Sequence, residues 1–368
     1  MIALGAAPRT GAGHRDDPGN SYSHGARLEA AEQERSRALG GGPLQPVLED
    51  PAVTDVLVNG GRGVWVDSGA GLTPLALRLS EAEARALAVR LAAACGQRLD
   101  DASPVVDGTL PDGTRLHAVL PPVCADGTAI SLRTLRRRPL TLRELQAGGT
   151  VGPQGALLLA ALVSSRANVL VSGATGAGKT TLLAAMLSMV PADERIVCIE
   201  EAPELNPDHP HALHLQVRRA NVQGAGQIGL EQLVRAAVRM RPDRLVLGEC
   251  RGAEVREVLG ALNTGHDGGW ATVHANAAAD VPARLTALGA LAGMSAATVA
   301  AQAVSALDAV VHLRRSGAVR RLSEVAVLKR DATGALVSVP AADADDDGAL
   351  APGPGWDRLA ARLDLGAR

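Results

Sequence analysis

From Val169 to Thr181 the chain reads Val-Leu-Val-Ser-Gly-Ala-Thr-Gly-Ala-Gly-Lys-Thr-Thr, and the fold is decided there. An apolar run, Asn168 to Ser172, leads into Gly173-Ala174-Thr175-Gly176-Ala177-Gly178-Lys179-Thr180, with Thr181 following. This is the phosphate-loop spacing GxxxxGK[ST], set between a strand pattern and a helical pattern over 179–189. Glycines let successive amides curl around a phosphate, and the start of the helix adds its positive end. Lys179 is suited to bridge β- and γ-phosphates, and Thr180 to give its hydroxyl to Mg²⁺. The plainer reading is a glycine-rich turn with an incidental lysine. Against it stands lysine usage: only Lys179 and Lys329 are lysine, and the other 35 basic residues are arginine. A chain that writes arginine elsewhere keeps lysine where a compact point charge is wanted.

Outward from the loop, helix and strand patterns alternate from about residue 154, the signature of a parallel sheet flanked by helices. Helices are predicted at 155–165, 230–240 and 253–263, and strands at 195–200, 244–249 and 269–274. Two runs around Ser316-Gly317 read as a hairpin. Three predicted strand ends carry polar groups, where α/β sheets bind ligands. Glu200, Glu201 and Glu204 follow one strand, suited to hold Mg²⁺ through water or to orient water, or else forming a solvated acidic loop. Glu249 ends the next in the Walker B position, a general base or a capping residue; with Thr180 it is the candidate metal contact. His266 and His274, eight residues apart, suit no zinc pair; His274 is either structural or a γ-phosphate sensor. Among the arginines, Arg239 and Arg241, just before the Walker B strand, are the candidates for phosphate charge; the others read more simply as a solvated surface.

Before the loop, residues 45–148 read as a small α+β domain, with strands at 56–60, 63–67 and 129–133, a helix at 81–95 capped by Ser80, and a hairpin over 108–120. Pro139 to Pro153 is the expected linker. Residues 1–44 are expected to be a disordered arm with a short helix at 26–38, and 331–368 a disordered acidic tail. The domain carrying the loop therefore spans 149–330. Hydrophobic residues are 46% of the chain, enough to exclude wholesale disorder. Net charge is −2, and Trp65, Trp270, Trp356 and Tyr22 are the only aromatics. That argues against a nucleic-acid surface, which wants a positive field and stacking platforms. Cys95, Cys124, Cys198 and Cys250 form no CxxC pair, so neither a zinc ribbon nor a disulfide framework is expected. Leu285 to Leu307 carries no formal charge but is mostly Ala, Gly, Ser and Thr, which suits soluble helices better than a membrane span.

Taken in order, these boxes resemble the type II/type IV secretion ATPase superfamily, in its CpaF/TadA-like (tight-adherence pilus) branch. The resemblance covers about residues 45–330. It includes the loop at 173–180, Ile199–Glu204, Asn221-Val-Gln-Gly224, Arg239-Met-Arg-Pro-Asp243, Gly248-Glu-Cys-Arg-Gly252 and Thr264–Asn276. Upstream, Val105–Asp107, Leu110–Arg115 and Ser131–Arg133 belong to it. It implies a RecA-like motor domain behind a smaller N-terminal domain, assembled as a homo-oligomeric ring, usually a hexamer, binding ATP and Mg²⁺. By that implication Glu249 is the Walker B glutamate, Glu200 and Glu204 belong to the acidic box, and His274 to the histidine box. Arg115, Arg133 and Arg239 match positions of nucleotide-contacting arginines. The implied role is a cytoplasmic motor at the inner face of the membrane, gripping platform proteins and driving pilus assembly or protein export. A RecA-like nucleic-acid translocase of a conjugation-type system is the alternative. Two departures stand out: Glu201 replaces the usual Asp of the acidic box, and Trp270 stands where a small residue is usual. The absence of a zinc-type tetracysteine favours the CpaF-like branch over the pilus-extension branch.

Overall fold

The computed structural model describes residues 40–69, 71–134, 138–218, 226–317, 319–345 and 347–365. The arm up to residue 39, with its expected helix at 26–38, and the Asn221–Gly224 box lie outside them. The chain divides into two compact units after Thr134, so the boundary falls before the expected linker rather than within it.

In the first unit a helical turn, α1 (Gln45–Leu48), precedes β1 (Asp55–Asn59), β2 (Val64–Asp67) and β3 (Leu72–Pro74). Then come α2 (Glu81–Ala94), β4 (Val105–Thr109), β5 (Arg115–Val119) and β6 (Ala129–Arg133). The strands form one antiparallel sheet in the order β3-β2-β1-β6-β5-β4. β1, β5 and β6 bury alternate residues, as a sheet covered on one side does. Helix α2 starts at a complete capping box, Ser80 with Glu83, and buries Ala84, Leu87, Ala88, Leu91 and Ala92. Leu44 is fully buried in this core, so the last residues assigned to a disordered arm are part of the domain.

The second unit opens with α3 (Leu142–Ala147), inside the segment read as a linker. Its Leu145 is buried with the core of this unit, and Thr141 and Glu144 close its capping box. Next are α4 (Pro153–Ser164), β7 (Val169–Gly173), α5 (Lys179–Leu187), β8 (Ile196–Glu200) and β9 (Ala212–Gln216). These are followed by α6 (Leu230–Val238), β10 (Arg244–Leu247), α7 (Val255–Leu262) and β11 (Trp270–His274). Then come α8 (Val281–Leu291), α9 (Ala296–Ala306), β12 (Ala309–Ser316) and β13 (Val319–Arg330). Last are β14 (Leu336–Ala344), β15 (Leu350–Pro352) and α10 (Trp356–Arg362). The nine strands lie in the order β15-β14-β13-β12-β7-β11-β10-β8-β9. From β12 to β9 every neighbour is parallel; β13, β14 and β15 extend the sheet antiparallel. β7, β8 and β10 are buried along their whole length, because helices cover both faces of the parallel part. The fold class is α/β, as expected.

One expectation changes here. Residues 331–345 and 347–365 are not a disordered tail: β14 pairs with β13, and α10 buries Leu359 completely. Here Asp345 accepts from the amides of Asp347 and Ala349, so this carboxylate closes the turn between β14 and β15. The uncharged stretch 285–307 forms α8 and α9, which bend by 119° around Gly293 and Ser295. Among the described residues no single helix is long and apolar enough to cross a membrane.

Candidate active site

Strands β7, β11, β10 and β8 lie side by side and parallel, so their carboxyl ends bring Gly173, His274, Glu249 and Glu200 to one sheet edge. The loop after β7 uses positive backbone φ at Gly176 (72°) and Gly178 (95°), conformations only glycine adopts without strain. Gly178 is the N-cap of α5 and offers no side-chain cap, which leaves the first amides of the helix for an outside acceptor. Ala177 is buried and anchors the loop from below, while Ala174, Thr175 and Gly176 are exposed. Thr180 and Thr181 are half-buried in the first turn of α5.

Lys179 is buried, and its Nζ donates to the carbonyls of Gly173 (3.0 Å) and Ala174 (3.2 Å). It also lies 3.1 Å from Nδ1 of His274. An ammonium has only donors, so Nδ1 accepts and the ring proton sits on Nε2. That nitrogen faces Glu249, 2.6 Å from Oε1, off the direction of a full hydrogen bond, so this buried oxygen keeps acceptor capacity. Burial, then the nearby Lys179, hold the His274 imidazole below its ordinary pKa. Burial likewise lowers Lys179, opposed by Glu249. The ring is therefore neutral near pH 7, as its acceptor role requires.

The other Glu249 oxygen accepts from Arg251 (2.5 Å), whose second arm reaches Glu201 at 3.1 Å. Arg251 escaped the sequence reading because, in a chain so rich in arginine, one more carries little signal. Glu200 is buried and turned inward: Oε1 accepts from the amides of Glu204 (2.9 Å) and Leu205 (2.8 Å) and so shapes the acidic loop. Its Oε2 has no hydrogen-bond donor; His214 is 3.7 Å away. Gly248 permits this approach, since a Cβ there would come within 2.9 Å of the Glu200 side chain. Glu204 is exposed and close enough to Lys179 and Arg251 to influence their charge.

Not every candidate joins this edge. Arg239 is the C-cap of α6, and Arg241 follows it, just before β10 begins. They stand at the opposite end of the strands from the phosphate loop, about 15 Å away at ~3.3 Å per residue. Nearness in sequence to the Walker B strand fixed the wrong end, and a role in this chain's own loop is excluded. His266 is at that far edge too, with Nδ1 at 3.2 Å from the Ala261 carbonyl after α7, which is a structural contact. Arg115 and Arg133 belong to the first unit, where they are cross-strand neighbours on β5 and β6; Arg133 pairs with Asp55 at 3.1 Å. Trp270 is buried in the core rather than in the site. The four cysteines are free, and burial pushes the Cys198 and Cys250 thiols far above their usual range, leaving them inert.

For Mg²⁺ the donor set can be tested directly. Among the described residues no group of three or more His, Cys, Asp or Glu side chains could hold a metal. A hydroxyl at Thr180 and the unspent oxygens of Glu200 and Glu249 fit an ion held largely by phosphate oxygens and water, the usual habit of Mg²⁺. They do not fit a protein cage. Glu249, already engaged by Arg251 and His274, suits contact with a water better than direct ligation.

Comparison with known proteins gives a consistent result. The family described as "Type II/IV secretion system protein" matches residues 37–333. A putative conjugal transfer protein of Mycobacterium tuberculosis is 52% identical over 319 residues, covering 84% of this chain and 90% of that protein. The conjugal transfer protein TrbB of Rhizobium radiobacter is 30% identical, over 77% of this chain and 86% of that one. Among solved structures, the Legionella pneumophila ATPase DotB aligns with a TM-score of 0.54 at 20% identity, over 81% of this chain and 78% of that one. The pilus retraction motor PilT with bound ADP also gives 0.54, at 19% identity, over 88% and 85%. These two likenesses concern the fold.

Proposed function

Because the chain belongs to the type II/IV secretion system protein family, we propose that it is an ATP-hydrolysing motor of a secretion-type machine. The observation that carries this reading is the contact chain Lys179–His274–Glu249, which joins the phosphate loop to the Walker B strand across two strand ends. In the proposed cycle Lys179 leaves its two carbonyls for the β- and γ-phosphates. Glu249 takes a proton from the water whose oxygen attacks the γ-phosphorus, and the bond to the ADP oxygen breaks. Arg251 holds the Glu249 carboxylate in place, and His274 reports whether Lys179 is engaged. Bound Mg²⁺, touching Thr180, would supply charge neutralisation at the transferring group.

The motor works as a homo-oligomeric ring, a hexamer, in the cytoplasm against inner-membrane platform proteins. In such a ring Arg239, on the edge away from its own loop, serves a neighbouring subunit's nucleotide; for Arg115 and Arg133 the resemblance alone supports a nucleotide contact. For cargo, the names of the relatives support a conjugal-transfer type of machine. The tight-adherence pilus branch is the second reading, supported by the ordered boxes and the missing tetracysteine. Neither requires the motor itself to grip DNA, and its charge of −2 speaks against that.

The test is ATP binding, phosphate release and electron microscopy on the full chain beside Lys179→Ala. Rings that bind and turn over ATP, with binding lost in the variant, support the proposal. A folded preparation that binds no ATP would overturn it. Many-fold stimulation of turnover by DNA would shift the motor to the nucleic-acid translocase class.

A further inference from the structure

Strand β12 pairs with β7 only as far as Leu313 opposite Gly173, yet β12 runs on to Ser316 and β13 begins at Val319. Residues 314–317 and 319–321 therefore project as two strand ends past the sheet edge at which the phosphate loop starts. Arg315 faces Arg320 across these ends, and Arg314 faces Arg321. Leu313 and Leu322 are buried in the core that also holds Ala177, Leu182 and Leu183 of the loop and α5. With side chains alternating along a strand, Arg315 and Arg320 share that face and lie over the loop.

The contacts agree. Arg320 Nε donates to the Gly176 carbonyl at 2.9 Å, and a Cβ on Gly178 would lie 3.3 Å from Arg320 Cδ. A Cβ on Gly176 would lie 2.8 Å from Arg315 Nη1, so this guanidinium rests against the exposed side of the loop. Arg315 Nε donates to Gly317 O at 2.9 Å. Among the described residues, both arginines bond to backbone carbonyls and neither is paired with a carboxylate. Two uncompensated guanidiniums against a phosphate cradle are an arrangement made for an anion.

We propose that Arg315 and Arg320 are nucleotide-binding residues, a clamp supplied by the same chain that contacts the phosphates of the bound nucleotide. This rests on the ATP-binding reading above. The test is equilibrium binding of ATP and ADP, with pyrophosphate as competitor, to the full chain and to Arg315→Ala, Arg320→Ala, Arg315→Lys and Arg314→Ala. Loss of one charge-assisted contact weakens ATP, ADP and pyrophosphate alike by about ten- to hundredfold. Arg315→Lys recovers part of it, and Arg314→Ala, on the other face, stays within about twofold. If Arg320→Ala disturbs the loop it holds, Arg315→Ala, which breaks no bond to the loop, decides the matter. Unchanged affinity in Arg315→Ala overturns the clamp, as does an equal loss in Arg314→Ala or a loss for ATP with none for pyrophosphate. Failure of the parent chain to bind ATP would instead strike the proposed function itself.

Discussion

Replacing Glu249 by Gln preserves the shape of the side chain and removes its charge, which separates catalysis from folding. The carboxylate sits 2.5 Å from Arg251 and 2.6 Å from His274 Nε2. Side-chain exposure is 52% for Arg251 and 21% for Glu249, so the pair is screened from the arginine side and worth about 1 kcal/mol. Gln keeps one acceptor oxygen for Arg251 and turns its NH2 toward His274, so the expected loss of stability is about 1 kcal/mol, a few degrees at most in melting temperature. Removing the base is different. General-base catalysis contributes about 10²–10⁴ in rate, equivalent to about 3–5 kcal/mol of barrier. Glu249→Gln should therefore bind ATP with near-parental affinity and fold normally, while releasing phosphate at least a hundredfold more slowly, an estimate that follows the same range. Single-turnover and steady-state phosphate release, with binding measured in parallel, make the comparison. Turnover within about threefold of the parent would refute the assignment of the base and the path drawn from Lys179 through His274.

Three further outcomes are expected. His274 is held below its ordinary pKa of 6.5, so over the interval beneath that value the unfolded chain binds more protons. Stability then rises with pH across the interval, being fully present above 6.5 and lost below it. Melting curves between about pH 5 and 7.5 should fall more steeply on acidification for the parent than for His274→Gln; parallel curves would contradict this. A Cβ on Gly289 would lie 2.2 Å from Val299 Cγ2, so Gly289→Ala should cost about 1–3 kcal/mol through overpacking of α8 on α9. Val299→Ala in the same chain should recover much of that, as denaturant titration of single and double variants would show. Leu359→Ala should lower stability by about 2–5 kcal/mol, because its side chain is fully buried; a change below about 0.5 kcal/mol would mean that α10 is not part of the core.

The part of the fold legible in sequence was the part whose local pattern is forced by burial. β7, β8 and β10 are covered on both faces, so they read as continuous apolar runs, and the glycines and lysine between β7 and α5 name their own chemistry. β9 was missed because it lies at an edge of the sheet: Leu213 and Leu215 are half-buried and His214 and Gln216 exposed, a weak alternation. The end of the chain was misread for a related reason. Ala341 and Ala342 are fully buried, yet alanines among aspartates, glycines and prolines look like a linker until β13 is in place to pair with them. At the sheet edge beside the loop, the positions of Glu249 and His274 were legible because they terminate strong strands. The places of Arg251, Arg315 and Arg320 beside it were not, since no spacing marks an arginine as different from its many copies, and Arg239 showed that adjacency along the chain does not reveal which end of a strand a residue occupies.

The carbonyls of Gly173 and Ala174 give Lys179 an alternative berth. Together with the His274 ring nitrogen, these two oxygens take up the three donors of the ammonium, so neutral acceptors compensate the burial of the cation. The same contacts tie the start of α5 to the ends of β7 and β11, so the turn is held in shape by a side chain of its own helix.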